Sequence, residues 1–322
     1  MRNSISILSQ RYLTKNFIQI LMFCCIFEFT FASSTPEDSI YNSNLLIKKT
    51  MSKSVLKSFA TLQGISAASG LVYHDQNLFI VGDNSGFLSK YNLTTKQTTQ
   101  IPLIDNAKTN IAKKIKPDFE SISLVGNQIH VFGSGSTENR QNRVSYDLKS
   151  HAVETKSMKK RYEKFQAAAE LADDEFNIEG AFSDEKFQYY CQRGNKSENK
   201  NCLFRYDKHT EEVEVFYFTL PKINGVAATF TDAVLVGRNM YFVASAEDCN
   251  STYHDGEIMG SLFGSMNIDS MKILHTEAIG AKNKFEGITL YQESETELKF
   301  LLCEDNDTEW LESEIFELTF KK

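Results

Sequence analysis

The chain has 322 residues, of which 41% are hydrophobic and 24% charged, a composition that supports a large buried core and argues against a wholly disordered protein. Its formal net charge is −7, and its basic residues occur in short scattered groups such as Lys113-Lys114. Such a distribution argues against a phosphate backbone as the main partner, so we expect no nucleic-acid binding.

The first segment, residues 1–32, has the pattern of a secretory signal peptide. Three basic residues precede an apolar run over residues 17–27, and Thr30-Phe31-Ala32 offers small residues for a cleavage site. That run is too short to cross a bilayer, and nothing after it is long and apolar enough to do so. We therefore expect a secreted or periplasmic protein without a membrane span, with a disordered leader over residues 33–50 and one folded domain over residues 51–322.

The folded region contains five repeats of one pattern. Each repeat opens on an acidic or hydroxyl residue, continues as an alternating apolar strand, turns, and adds a second apolar strand that ends in small and charged residues. The openings recur every 51 to 59 residues, at Ser69, Glu120, Glu179, Asp232 and Glu286. An all-β repeat with a period of about 50 residues predicts a five-bladed β-propeller.

The two ends of the chain predict how this propeller closes. The fifth repeat runs out of sequence after its third strand, at Phe320, whereas residues 55–62 precede the first repeat and have no blade of their own. We expect this N-terminal strand to complete the last blade, since closure removes an exposed sheet edge. Between repeats two and three, residues 162–171 are rich in Ala, Glu, Lys and Gln and predict a helix.

The repeat openings also predict a metal site. The first strand of each blade lines the central channel, so the five opening residues would form a ring of four carboxylates and one hydroxyl. Such a ring is repulsive unless its members are protonated or bridged by a cation, and oxygen ligands in a wide ring favour Ca²⁺. The alternative is a hydrated channel in which these acids only accept hydrogen bonds from backbone amides.

The ring resembles that of the calcium-activated nucleotidases, or apyrases, which are five-bladed propellers with a central calcium. That family has Ser, Glu, Glu, Ser and Glu in blade order, and this chain matches it at Ser69, Glu120, Glu179 and Glu286 but has Asp232 in blade four. The resemblance implies that Arg193 binds phosphate at the channel mouth. Phe132-Gly133-Ser134-Gly135-Ser136 is also similar to an uncharacterised bacterial propeller family.

The ends of the second strands would form the rim of the channel mouth. Asp83 and Glu247 end two of these strands, and the loop after Phe132 could present backbone amides to a phosphate with Arg140 nearby. The same loop could equally be a simple turn without a ligand. The candidate substrate-binding residues are Asp83, Ser134, Arg140, Arg193 and Glu247.

Cys191 and Cys202 flank a polar stretch, as cysteines on two strands of a hairpin would, and predict a disulfide in an exported protein. Buried free thiols are the alternative.

Three functions fit these patterns. The first is a monomeric, non-catalytic propeller that binds a small molecule or an exported protein partner and uses calcium to brace its blades. The second is a calcium-dependent nucleotidase that hydrolyses nucleoside di- and triphosphates. The third is a glycosidase, for which the ring supplies carboxylates but the single Trp supplies little surface for stacking on sugars.

Overall fold

Five antiparallel sheets make up the folded part of the chain. The structure, a computed structural model, describes residues 53–65, 67–194, 200–248, 256–305 and 312–322. Blade one contains β2 (Ala68–His74), β3 (Asn77–Gly82), β4 (Phe87–Asn92) and β5 (Thr98–Pro102). Blade two contains β6 (Phe119–Val125), β7 (Gln128–Gly133), β8 (Asn142–Asp147) and β9 (Val153–Ser157).

The other three blades are also antiparallel, and blade four has a short additional strand that pairs with the start of its first long strand. Blade three contains β10 (Ile178–Ser183), β11 (Phe187–Gln192), β12 (Cys202–Asp207) and β13 (Val213–Tyr217). Blade four contains β14 (Lys222–Ile223), β15 (Val226–Val236), β16 (Asn239–Asp248), β17 (Glu257–Asn267) and β18 (Lys272–Gly280). Blade five contains β19 (Phe285–Glu293), β20 (Glu297–Glu304), β21 (Glu312–Lys321) and β1 (Ser54–Gln63).

The first long strand of each blade contacts the equivalent strand of the next blade. These contacts run from β2 to β6, β10, β15 and β19, and back to β2, so the five sheets form a closed ring. The predicted five-bladed β-propeller is confirmed.

Blade five closes the ring as predicted. Strand β1 pairs antiparallel with β21, with Ser54 opposite Phe320 and Gln63 opposite Glu312. Leu62 on β1 is fully buried and packs with Leu301 and Ile315 of the same blade. The outer strand therefore contributes to the core as well as covering the edge of β21.

The predicted helix is present as α1 (Lys159–Ala169). It ends at Glu170, whose φ of 51° lies in the left-handed region that terminates helices. Phe165 is buried and stacks on Phe204 of blade three with ring centroids 4.6 Å apart. This apolar face fixes the helix on the flank of the propeller beside blades two and three.

The predicted disulfide between Cys191 and Cys202 is wrong, because both thiols are free and buried. Cys191 lies opposite Leu203 and Cys202 lies opposite Gln192, so the two cysteines are one register step apart on paired strands. Side chains alternate between the two faces of a sheet, and the two thiols accordingly belong to different apolar clusters.

The predicted signal peptide and nearly all of the predicted leader lie outside the described residues, so both stay predictions. Among the described residues no helix is long and apolar enough to cross a membrane.

Candidate functional site

Each innermost strand carries a β-bulge at the same level of the channel. The pairing register shifts by one residue between Ala68 and Gly70 in blade one, and at the matching point in the other four blades. The residues inside the five bulges are Ser69, Glu120, Glu179, Thr231 and Glu286. Four of them are the predicted ring residues. In blade four the prediction of Asp232 is wrong by one position, and the equivalent residue is Thr231.

The two hydroxyl members of this ring bind backbone groups. Ser69 Oγ donates to the carbonyl of Ala67 at 3.2 Å and accepts from the amide of Asp83 at 3.0 Å. Thr231 Oγ1 donates to the carbonyl of Phe285 at 2.6 Å. Both hydroxyls therefore hold neighbouring segments of the mouth in place.

Arg193 lies among three buried carboxylates. Its guanidinium donates to Glu179 at 3.3 Å and to Glu247, and lies 3.6 Å from Glu286. Burial lowers the pKa of Arg193, but the three carboxylates raise it by more, so the side chain stays charged. Arg193 thus neutralises part of the ring.

Lys284 is the second cation of this region. Its Nζ lies 2.8 Å from Glu286 and 3.1 Å from Asp305, and the lysine is 6% exposed. Lys284 precedes the ring residue of its blade by two positions, and Asn177 does the same in blade three, donating to Glu179 at 2.5 Å. Glu179 and Glu286 therefore already have partners within the protein.

A third group of charges surrounds Glu120 on blade two. Lys116 Nζ contacts Asp83 Oδ2 and lies 2.8 Å from Asp118 Oδ1. Ligand oxygens of Asp83, Asp118 and Glu120 all lie within 4.8 Å of one another. Among the described residues no hydrogen bond or ion pair reaches the Glu120 carboxylate, and Asp83 Oδ1 is buried without a partner. These oxygens are the ones open to a cation.

Two predicted substrate-binding residues have structural partners at the same place. Ser134 Oγ donates to Asp118 Oδ2 at 2.5 Å, and Arg140 donates to that oxygen at 2.8 Å. Arg140 is 5% exposed and also donates to Ser136 Oγ at 2.9 Å. Both side chains orient Asp118 and do not extend into the open mouth.

Carboxylates outnumber cations across these groups, which we call the mouth cluster. Its carboxylates are Asp83, Asp118, Glu120, Glu179, Glu247, Glu286 and Asp305, and its cations are Lys116, Arg140, Arg193 and Lys284. Burial is the main cause that raises the pKa values of Glu120 and Glu286 well above the ordinary range, and neighbouring carboxylates raise them further.

Asp232 lies one residue beyond the ring and has a different environment. It is 1% exposed, its Oδ2 accepts from the Ile288 amide of blade five at 2.9 Å, and its Oδ1 has no partner. Burial raises its pKa well above the ordinary range. The innermost strands approach closely at this level, since a Cβ on Gly180 would lie 3.0 Å from Asp232 Cα.

A family of unknown function (DUF6929) matches residues 64–320. The chain belongs to this family. A search of curated proteins finds no sequence that matches it.

Among solved structures, this DUF6929 protein is similar to the PQQ-bound form of an aldose sugar dehydrogenase from Streptomyces coelicolor, with 10% identity over 82% of this chain and 98% of that chain and a TM-score of 0.47. It is also similar to an auxiliary nutrient binding protein from Bacteroides thetaiotaomicron VPI-5482, with 11% identity over 84% of this chain and 77% of that chain and a TM-score of 0.43. A structure of U3-55K matches with 9% identity over 77% of each chain and a TM-score of 0.40.

The DUF6929 match agrees with the predicted resemblance to an uncharacterised family. The resemblance to nucleotidases stays a prediction, as does the calcium ring.

Sequence reasoning missed five residues of this DUF6929 mouth, namely Asp118, Lys284, Thr231, Lys116 and Asp305. Asp118, Lys284 and Thr231 lie in short segments that alternate polar, apolar and polar residues, namely Asp118-Phe119-Glu120, Lys284-Phe285-Glu286 and Thr229-Phe230-Thr231. Aligning the repeats on the apolar residue of each segment would have placed Thr231 in the ring. Lys116 has no such signal, because it reaches Asp83 from a loop before β6.

A pocket of about 220 Å³ lies in the channel beyond the level of the bulges. All five innermost strands line it, mainly with apolar side chains such as Phe182 and Leu290, together with Ser123 and Thr289. These residues follow the bulges in sequence, so the charged side chains of this DUF6929 channel lie at one end, and the residues that line the pocket at the other end are uncharged.

Proposed function

We propose that this protein is an exported, non-catalytic binding propeller whose mouth cluster holds a calcium ion and, with it, a small polar ligand. The observation that carries the proposal is the excess of buried and partly buried carboxylates over cations in the mouth cluster. Uncompensated buried charge is costly, and an oxygen-coordinated cation relieves that cost.

The residues present fit such an ion at one place. Asp83, Asp118 and Glu120 supply three carboxylates within 4.8 Å of one another, and Asp83 Oδ1 is a buried oxygen that lacks a donor. An all-oxygen set favours Ca²⁺ or Mg²⁺ over Zn²⁺, and Ca²⁺ tolerates an irregular set with additional waters. Lys116 already contacts two of these carboxylates, those of Asp83 and Asp118. The charge of the ion would therefore add to the charge of Lys116 and would not replace it.

The remaining predicted ring residues support the ion indirectly. Glu179 and Glu286 are paired with Arg193 and Lys284, and Ser69 Oγ is bound to backbone groups. These contacts favour a position for the proposed ion on the blade-two side of the mouth, next to Glu120, over one at equal distance from all five blades.

Calorimetric titration of the purified protein with CaCl₂ tests this proposal. Glu120→Gln keeps the size of the side chain but removes a carboxylate that has no hydrogen-bond or ion-pair partner among the described residues, so we expect it to weaken calcium binding at least about tenfold. Glu154→Gln, on the exposed outer strand β9, is the matched control and leaves binding unchanged. Absence of calcium binding to the wild-type protein would overturn the metal site.

A calcium-dependent nucleotidase is the second candidate, and one observation favours it. With Thr231 in the fourth position, the ring reads Ser, Glu, Glu, Thr, Glu, which restores a hydroxyl where the nucleotidase family has one. Against it, Arg193 is bound by three carboxylates and is not free to receive a phosphate. Release of phosphate from ADP, UDP, GDP or ATP only when calcium is present would establish this activity. If no phosphate is released, the non-catalytic binding propeller is the candidate that remains.

Export belongs to the same proposal and rests on the pattern of residues 1–32. N-terminal sequencing of the mature protein checks it, with Ser33 expected as the first residue. A mature chain that retains residues 1–32 would contradict export by this route.

A further inference from the structure

A basic pocket of about 270 Å³ lies on the flank of the propeller, where α1 meets the outer strands of blades two and three. Its polar lining residues come from β9, α1, β12 and the turn after β12. The residues that matter here are Lys156, Lys160, Arg161, Lys164, Tyr206 and Glu211.

Four of these six side chains are cations and one is a carboxylate, in a protein whose net charge is −7. Glu211 is engaged by Lys164 at 2.8 Å. In the part of the chain that the structure describes, Lys156, Lys160 and Arg161 have no carboxylate within 4.0 Å. Four cations thus share one pocket with a single carboxylate, which leaves an excess of positive charge.

Arg161 is held in position by neutral groups. Its guanidinium donates to Gln188 Oε1 at 2.8 Å and to the Tyr190 hydroxyl at 2.7 Å, and it stacks 3.9 Å from the ring centroid of Tyr206. These contacts fix its orientation without pairing its charge with a carboxylate, and Glu211, whose pKa Lys164 and then Arg161 lower, acts on that charge only from a distance. A guanidinium that is oriented in advance loses little freedom when it binds an oxyanion.

The surroundings of the pocket are also positive. Arg143 lies directly opposite Lys156 on the paired strand, and its buried Nε has no partner. Burial, followed by the charges of Arg143 and Lys208, lowers the pKa of nearby His130 to about 4. Like charges on directly opposed residues destabilise a sheet, so this arrangement is unfavourable unless an anion is bound.

We infer that this flank pocket binds a small organic molecule that carries a phosphate or sulfate ester. Lysine ammonium groups and an arginine fork are the side chains that bind tetrahedral oxyanions best. The pocket is larger than one such ion, so it also has room for the organic part of an ester. Because none of its residues belongs to the mouth cluster, this inference is independent of the proposed calcium site.

Calorimetric titration of the full chain with glycerol 3-phosphate, glucose 6-sulfate, inorganic phosphate and inorganic sulfate tests the inference and tells phosphate from sulfate. We expect one of the two esters to bind more tightly than its inorganic ion. The double variant Lys156→Glu/Lys160→Glu reverses two exposed charges, so we expect it to weaken that binding at least about tenfold. Its melting midpoint without ligand should not fall, since like-charge repulsion is reduced.

Lys159→Glu is the matched control, because Lys159 is the neighbour of Lys160 on α1, pairs with Glu138 at 3.2 Å and does not line the pocket. We expect less than a twofold change in affinity. Equal weakening in the control would show a general surface potential and overturn the site. Failure of all four compounds to bind at concentrations below about 10 mM would also overturn the site. Inorganic ions that bind as tightly as their esters would overturn the assignment to an ester.

Discussion

Asp232 is a buried carboxylate whose position separates it from the candidate metal ligands. Its raised pKa means that the folded protein binds this proton more tightly than the unfolded chain does. Between the ordinary value of about 4 and the raised value, the free energy of unfolding therefore falls as the pH rises, by about 1.4 kcal/mol per pH unit.

Asp232→Asn removes this penalty and keeps an oxygen that can accept from the Ile288 amide. We expect the variant to equal the wild type in stability near pH 4 and to exceed it at pH 8. Urea unfolding at both pH values measures the difference. A variant that is less stable at pH 8 than the wild type, or that binds calcium more weakly, would mean that Asp232 is ionised and faces a cation.

Arg193 is the residue on which the central carboxylates depend most. Replacing it by Met keeps much of its volume but leaves Glu179, Glu247 and Glu286 without their shared cation. Removal of one partner from a buried ion pair costs about 3–5 kcal/mol, so we expect a loss of this size in urea unfolding.

Arg238→Met is the control for this change, since the Arg238 side chain is half exposed and its ion pairs with Asp269 and Asp184 are screened by solvent and contribute little. Equal stability of Arg193→Met and wild type would show that the ion pairs of Arg193 do not stabilise the folded protein. A nucleotidase assay on Arg193 variants must be read with their stability, because loss of activity could follow from loss of the fold.

At the scale of strands, the repeat alone was sufficient to predict the architecture. The alternation of apolar residues located the strands, and the unpaired strand before the first repeat identified the closure by β1. The alternation of apolar residues within one strand does not by itself show where a bulge falls, because a bulge inserts one residue without changing the apolar pattern on either side. This is why Asp232 replaced Thr231 in the predicted ring.

The long-range partners were equally beyond sequence reasoning. Lys116 and Asp83 are 33 residues apart, and Arg193 and Glu247 are 54 apart, so their pairing depends on how neighbouring blades pack. The same limit applies to Cys191 and Cys202, since only the strand register tells which face each thiol occupies. Polarity predicted that these residues lie near the mouth, but not that they neutralise one another.

The contribution of β1 to stability is tested by a pair of substitutions on that strand. Leu62 is fully buried beside Leu301 and Ile315, so Leu62→Ala should cost about 2–5 kcal/mol. Val55 is 62% exposed on the same strand, and Val55→Ala should change the free energy of unfolding little. Urea unfolding of both variants measures this, and equal effects would contradict a closure that depends on packing.

Deletion extends the same test to the whole strand. A chain that lacks residues 33–48 retains all of β1 and should melt like the wild type, whereas deletion through residue 62 removes the partner of β21 and should unfold the domain. An unchanged melting midpoint after the longer deletion would show that blade five is stable with three strands.

Across the whole molecule, charge divides the channel into two ends. The mouth cluster concentrates seven carboxylates and four cations at one end, while the pocket of about 220 Å³ at the other end is lined mainly by apolar side chains. Between them lies the level of Asp232, where a Cβ on Gly287 would lie only 2.9 Å from Gly70 Cα. An ion bound at the mouth would therefore lie next to the five innermost strands, which pack closely against one another.

This arrangement predicts that calcium stabilises the entire propeller. A ligand that binds only the native state adds about 2.7 kcal/mol at a hundredfold excess over its Kd. For a domain of this size each kcal/mol raises the melting midpoint by about 2–4 °C, so chelation should lower the midpoint by about 5–10 °C.

Scanning calorimetry with calcium and with a chelator measures this shift. Glu120→Gln should lose most of it and should melt at or above the wild-type midpoint without calcium, because one repulsive carboxylate is gone. Glu293→Gln, which alters an exposed ion pair with Lys322, should keep the full shift. Magnesium should substitute poorly, since it requires near-octahedral geometry. A further outcome is that calcium binds in calorimetric titration while chelation leaves the wild-type melting midpoint unchanged. In that case the ion is held by a part of the protein that does not limit unfolding, and protonation of the carboxylates, without the ion, stabilises the mouth cluster.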